Sequence, residues 1–172
     1  MFNYVDLDDL LAIAAKKNEP PFILILDGIE DPHNFGAILR TAEAAGAHGV
    51  VIRKARQVQV NDTVVKVSTG AADKVPVALV PNIAEAVRAL KDEGLTLFAV
   101  EIDGKRYYNE ADYRGAVGLV IGSEGNGVSR LVKERCDEVV RLPMRGQINS
   151  LNASVATGIA LYEVLRQRGG EK

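Results

Sequence analysis

The strongest constraint on this chain is a series of short apolar runs that do not alternate with polar residues. They fall at residues 22–26, 49–52, 77–80, 95–100, 116–121 and 139–142. A strand with one wet face alternates apolar and polar side chains, whereas a parallel strand covered on both faces reads as an unbroken apolar run. Helical periodicity fills the intervals. Residues 6–17 put Leu7, Leu10, Leu11 and Ala14 on one face, 34–45 align Phe35, Ile38, Leu39 and Ala42, and 83–91 align Ala86, Val87 and Leu90. The last such segment, 152–168, carries Val155, Ile159, Tyr162 and Leu165 along one stripe, and a short helix is expected at 128–134. The expectation is an α/β fold: a mostly parallel sheet with helices on both faces.

Boundary signals sharpen this reading. Asn34 is placed to cap the second helix, and Gly46 and Gly94 stand where a glycine follows a last helical turn. Between residues 57 and 74, Val58, Val60, Val64, Val65 and Val67 favour an extended chain, with a short helix at 68–72. Pro20-Pro21 separates the first helix from the first strand, and neither a linker nor a repeat divides the remainder. The expected organisation is an N-terminal helix and linker at 1–19, followed by one domain at 20–172.

A chain of 172 residues buries enough surface to hold a core without disulfides or metal. With 47% hydrophobic and 26% charged residues, disordered and collagen-like classes are excluded. The single cysteine, Cys136, points to a reducing compartment. Neither a signal-like leader nor a membrane-length apolar run is present, so a soluble, cytoplasmic protein without membrane contact is expected. The formal charge of −2 conceals a gradient: residues 1–33 hold seven acids and two bases, residues 128–172 eight bases and five acids. A local cationic surface is compatible with that total.

Three polar clusters each follow an apolar run, where open α/β sheets collect their chemistry. The first spans 27–42 and holds Asp31, Pro32, His33, Asn34, Gly36 and Arg40; its plain structural reading is a loop and a capped helix. The second, Gly122-Ser123-Glu124-Gly125-Asn126-Gly127, brings three glycines against the end of a strand. It lacks the spacing of a dinucleotide fingerprint or a P-loop, and alone it reads equally well as a turn. The third, 142–156, joins a strand to the last helix through Pro143, Met144, Arg145, Gly146, Ser150, Leu151 and Asn152. Asn and Ser side chains orient partners by hydrogen bonding rather than carry protons. His33 and His48 have no partners at metal-ligand spacing, so no metal site is expected.

In order and spacing the three clusters resemble the motifs of the SpoU (TrmH-like) RNA ribose 2′-O-methyltransferases. The match runs through Asp31-Pro32-His33-Asn34 with Gly36, Arg40, Thr41 and Ala42, then Ile121-Gly122-Ser123-Glu124-Gly125 with Gly127. It ends with Leu142-Pro143-Met144, Gly146, Ser150-Leu151-Asn152 and Ser154-Val155-Ala156. The resemblance implies a sheet whose C-terminal part is threaded into a deep trefoil knot, against the general rule that chains do not knot. It implies S-adenosylmethionine as cofactor, held by Ile121, Gly122, Leu142, Met144, Ser150 and Leu151. It makes Arg40 the catalytic residue, assisted by Asn34, Glu124, Ser150 and Asn152.

The implied substrate is structured RNA, with Arg40, Arg53, Lys54, Arg56 and Arg145 as candidate contacts. Lys66–Ala71 and Val75–Val77 are similar to the subgroup acting on guanosine of 23S rRNA. A tRNA 2′-O-methyltransferase and a non-catalytic module that binds RNA or the cofactor are the alternatives. That rRNA subgroup carries an RNA-binding domain ahead of the catalytic one, where this sequence has one helix; a catalytic fragment and a short family member both fit. The resemblance also implies a homodimer through the knot region and the last helix, a helix whose stripe reads equally well as intrachain core.

Overall fold

Unbroken apolar runs stack side by side because each can be covered from above and below, and they do so here. The structure, a computed structural model, describes residues 2–170; Met1, Glu171 and Lys172, which the expected 1–19 and 20–172 division includes, lie outside the described residues. Strands β1 (Phe22–Asp27), β2 (Gly49–Arg53), β3 (Val77–Val80), β4 (Thr96–Val100), β5 (Arg106–Tyr107), β6 (Val117–Gly122) and β7 (Glu138–Arg141) form one sheet in the order β3-β2-β1-β6-β4-β7-β5. Every pairing is parallel. All six residues of β1 are buried, as a central strand covered on both faces requires.

The helices are α1 (Leu7–Lys16), α2 (Pro32–Ala45), α3 (Asp62–Val67), α4 (Ile83–Asp92), α5 (Arg130–Arg135) and α6 (Ala153–Gln167). Period-2 alternation splits the strands between two cores. Leu24, Leu26, Leu119 and Ile121 pack with Phe35, Ile38 and Leu39 of α2 and Leu161 and Val164 of α6. On the other face Ile23, Ile25 and Val120 pack with Leu10 of α1, Val87 and Leu90 of α4 and Val132 of α5. Gly46 closes α2 in the left-handed region, its N–H returning to the Ala42 and Glu43 carbonyls.

Several local expectations change. The 57–74 segment is not extended: Asn61 accepts a hydrogen bond from the Val64 amide and starts α3, and the expected helix at 68–72 is a 3-10 turn at Ala71–Asp73. Tertiary packing overrides β-branched propensity there, with Val64 fully buried and Val67 seated against Gly36. The cap of α2 is Asp31, which accepts from the His33 amide at 2.9 Å, rather than Asn34. Of the stripe on α6, Val155, Ile159 and Tyr162 are exposed; the core face is instead Ala153, Thr157, Ala160, Leu161 and Val164.

One crossing dominates the C-terminal half. Val100 of β4 and Arg106 of β5 both pair with Val140 of β7, from opposite sides. Residues 101–105 therefore arch across β7. The approach is so close that a Cβ on Gly104 would lie 2.5 Å from the Val140 carbonyl carbon, so only glycine fits.

Candidate active site

The carboxyl ends of β1, β6 and β7 lead into the three polar clusters, and hydrogen bonding joins them. With Asp31 serving as the cap and Pro32 fixing the first turn, the Asn34 side chain is free to turn inward; the residue is 7% exposed. Its Nδ2 donates to Glu124 Oε1, and its Oδ1 accepts from Asn152 Nδ2 at 3.2 Å. Asn152 in turn caps α6, its Oδ1 accepting from the Ser154 and Val155 amides at 2.9 and 3.3 Å. One chain, Glu124–Asn34–Asn152, thus links residues separated by 90 and 118 positions in sequence.

Beside this chain opens a cavity of about 400 Å³, a size suited to a cofactor. Its wall includes Ile121, Gly122, Leu142, Met144, Ser150 and Leu151, all six residues expected to hold the donor, together with Glu124. Gly122 opens a tight turn in which Ser123 and Gly127 exchange backbone hydrogen bonds of 3.2 and 2.8 Å. A Cβ at Gly122 would lie 2.0 Å from the Gly127 carbonyl carbon, so a side chain there would force the turn open. The lining mixes apolar Val100, Ile102, Ile121 and Leu142 with polar Ser123, Asn126, Asn149 and Ser150, a combination that suits a ligand with an uncharged ring system and a polar tail. Residues 143–152, which close it, are exposed.

Sequence reasoning gave no donor-site role to Val100, Asn126 and Asn149, which lie in the runs and clusters it marked, and missed Glu101 and Ile102; all five also line the cavity. The available signal was Glu101, an acid directly after a buried strand. Burial pushes its carboxyl above the ordinary range; the Val128 amide and Lys133 oppose that shift, and Asp103 and Asp27 reinforce it.

The remaining candidates lie apart. Arg40 is exposed on α2 and is not among the residues lining the cavity. Six residues beyond Asn34, it sits about 9 Å along the helix and roughly 120° around it, and it makes no ion pair with a described residue. Arg53 is half-buried and held by Asp27 at 3.2 Å, while the other Asp27 oxygen accepts from the Ser129 amide at 2.7 Å. Lys54, Arg56 and Arg145 are exposed. Among the described residues no group of three or more His, Cys, Asp or Glu could hold a metal ion. Burial, with Asp137 adjacent, pushes the Cys136 thiol up to about 12, which leaves it a poor nucleophile at neutral pH.

This fold, with its three linked loops, coincides with a known family. The profile of the SpoU rRNA Methylase family matches residues 21–162. Over 167 residues the chain is 50% identical to YacO of Bacillus subtilis (strain 168), described as a TrmH family tRNA/rRNA methyltransferase, covering 97% of this chain and 67% of that protein. The chain belongs to the SpoU/TrmH family. Among solved structures it is similar to the SpoU methyltransferase AviRb from Streptomyces viridochromogenes in complex with AdoMet, with TM-score 0.81, 33% identity, and coverage of 89% of this chain and 60% of that one. The TrmH/SpoU tRNA modifying enzyme of A. aeolicus is similar at TM-score 0.79 and 32% identity, covering 94% and 84%. The chain spans about two thirds of the length of the curated relatives it matches.

Proposed function

We propose that this chain is the catalytic part of an S-adenosylmethionine-dependent RNA ribose 2′-O-methyltransferase. The observation that carries the reading is the Glu124–Asn34–Asn152 chain at the edge of the cavity, which brings all three motif clusters to one place. The donor supplies an electrophilic methyl on a sulfonium. Ile121, Gly122, Leu142, Met144, Ser150 and Leu151 would hold it, and the cavity's apolar side chains and its glycines 122, 125 and 127 suit adenine and polar groups read by the backbone. The protein's task is mainly alignment, because methyl transfer needs the ribose oxygen in line with the methyl. Asn34, Glu124, Ser150 and Asn152 orient the ribose by hydrogen bonds.

Arg40 contacts the target phosphate and stabilises charge developing on the 2′-oxygen. A guanidinium with a pKa above about 12 does this better than it accepts a proton. Its place outside its own chain's cavity is accounted for by a homodimer. Asn34 meets Asn152 and Thr41 meets Gly158, so α2 and α6 run in the same direction and Arg40 stands level with residues 157–158, between Val155 and Ile159 of the exposed stripe along α6. A second copy packed on that stripe would bring Arg40 towards the partner's cavity. Mixing inactive Arg40→Ala and Glu124→Gln chains then restores roughly a quarter of the activity, since one site in each mixed dimer is intact; no recovery would leave Arg40 acting within its own chain.

The preferred substrate is a guanosine in rRNA, supported by the similarity at Lys66–Ala71 and Val75–Val77; Lys54, Arg56 and Arg145 are its exposed cationic contacts. A cytoplasmic location follows from that substrate. The arch of residues 101–105 across β7 supports the knotted threading, and the division near Pro20 separates an N-terminal helix from the family-matched region. Transfer of tritiated methyl to total RNA tests the activity. Mapping of 2′-O-methyl sites in rRNA and tRNA from a strain lacking the gene tests the substrate; a site lost from tRNA alone would replace rRNA as target.

A further inference from the structure

The charge on the cavity wall is one-sided. Two carboxylates line it, Glu101 and Glu124, and no Lys, Arg or His does so among the described residues. Glu124 is engaged by Asn34, whereas Glu101 enters at the end of β4 and is held there by three separate features. The Val128 amide donates to its Oε1 at 3.2 Å. Gly127, at φ +65°, leaves the space the carboxylate fills: a Cβ there would lie 2.7 and 2.8 Å from its two oxygens. Lys133, the nearest cation, is 4.0 Å from Glu101 but 2.5 Å from Asp103, so its charge is spent mainly on Asp103.

We propose that Glu101 makes the cavity charge-selective, favouring the cationic sulfonium donor over the neutral thioether that remains after transfer. This rests on the donor-site reading above. When the methyl passes to the ribose oxygen, the S–CH3 bond breaks, an O–CH3 bond forms, the sulfur keeps the bonding pair, and the hydroxyl proton leaves to phosphate or water. One positive charge therefore disappears from the nucleoside beside a half-buried carboxylate. At separations of about 6–12 Å and an effective dielectric near 40, between those of a protein surface and of water, that loss is worth roughly three- to tenfold in relative affinity. Glu101 touches no reacting atom; it is a specificity residue that assists product release.

The test is calorimetric titration of the full chain with S-adenosylmethionine, S-adenosylhomocysteine and sinefungin, an analogue with an amine in place of the sulfonium. Glu101→Gln keeps an acceptor for the Val128 amide and removes the charge. It is expected to lower the methionine-to-homocysteine affinity ratio about three- to tenfold, sinefungin following the methionine form. Lys133→Met removes the opposing charge and is expected to raise the same ratio, which keeps the test decisive if the first variant folds poorly. An unchanged ratio in both variants, or parallel weakening of all three ligands, overturns the proposal. If neither nucleoside bound the unaltered protein, the donor-site reading would fall first.

Discussion

The two ends of the sheet treat polar groups in opposite ways. At the amino end two polar side chains, His48 and Arg168, are tied to the interior. His48, 2% exposed, accepts the Phe22 amide at Nδ1 (2.9 Å) and donates from Nε2 to Glu19 (2.8 Å). Arg168, just past α6, donates to the carbonyls of Tyr113, Pro20 and Pro21 at 3.1, 2.8 and 3.1 Å and to that of Gly115, and lies over the Phe22 ring. At the carboxyl end the loops are exposed, and a hydrogen-bonded chain of exposed Glu124, buried Asn34 and exposed Asn152 meets a cavity at Glu124. Helix α6 joins the two: Asn152 at its start belongs to the site, Arg168 at its end clamps the closed pole. The contrast separates residues that should affect turnover from residues that should affect stability.

The sharpest break of that contrast is expected from Arg40→Ala. Arg40 is exposed and unpaired with any described residue, so its loss should leave the melting temperature unchanged while lowering turnover about 10²- to 10³-fold, as for loss of an electrostatic stabiliser. Donor affinity by calorimetry should stay within about twofold. A variant that still transfers methyl at the normal rate removes Arg40 from the mechanism.

The mirror experiment is Arg168→Ala. It strips charge-assisted hydrogen bonds from four carbonyls and is expected to cost about 2–4 kcal/mol in urea unfolding, with the turnover of the folded fraction unaltered. A loss of turnover without a loss of stability would mean that the closed pole communicates with the site.

A smaller effect separates two neighbouring cations. Arg53→Met leaves Asp27, 2% exposed, without its ion partner and should destabilise by about 1–3 kcal/mol. Lys54→Ala should change stability by less than about 0.5 kcal/mol and instead weaken RNA binding in a salt-dependent way. Filter binding at two ionic strengths distinguishes them; equal RNA defects in both would return Arg53 to the RNA surface.

How far the sequence revealed this arrangement varies with the range of the interaction involved. The central strands were readable because burial on both faces leaves its mark on every residue of β1 and on all but the last residue of β2 and β6. Strand β5 was not, since Arg106 and Tyr107 are exposed and are a strand only by pairing with β7, over thirty positions away. Helix α3 was hidden by its valines, whose packing partner at Gly36 is equally remote. The cap of α2 was decidable locally: Pro belongs in the first turn, which makes Asp31 and not Asn34 the capping residue. The donor-site residues were legible only through the resemblance of the segments 121–127 and 142–156 to family motifs, and Glu101 lies outside those segments. That Arg40 does not line its own chain's cavity depends on helix phase, which neither composition nor motif spacing records.

The least of these effects, and the most specific to the closed pole, concerns pH. Burial lowers the His48 pKa from its ordinary 6.5, with the hydrogen bond and charge of Glu19 opposing the shift. The neutral ring is therefore preferred in the folded protein, and the unfolded chain takes up the proton first. Stability from this group is fully present above pH 6.5 and is lost as pH falls from there towards the lowered folded value. For a single proton the slope cannot exceed about 1.4 kcal/mol per pH unit. The geometry explains the direction: a second ring proton would sit on Nδ1, directly facing the Phe22 N–H that now donates to it. Chemical denaturation between pH 7 and pH 5 should show the slope, and His48→Asn, less stable at pH 7 for want of its hydrogen bonds, should lack that component. Turnover of the folded fraction over the same range should not follow it, because the titrating group lies at the end of the sheet opposite the cavity. A coincident loss of stability and turnover that His48→Asn abolishes would mean that the two poles are energetically one.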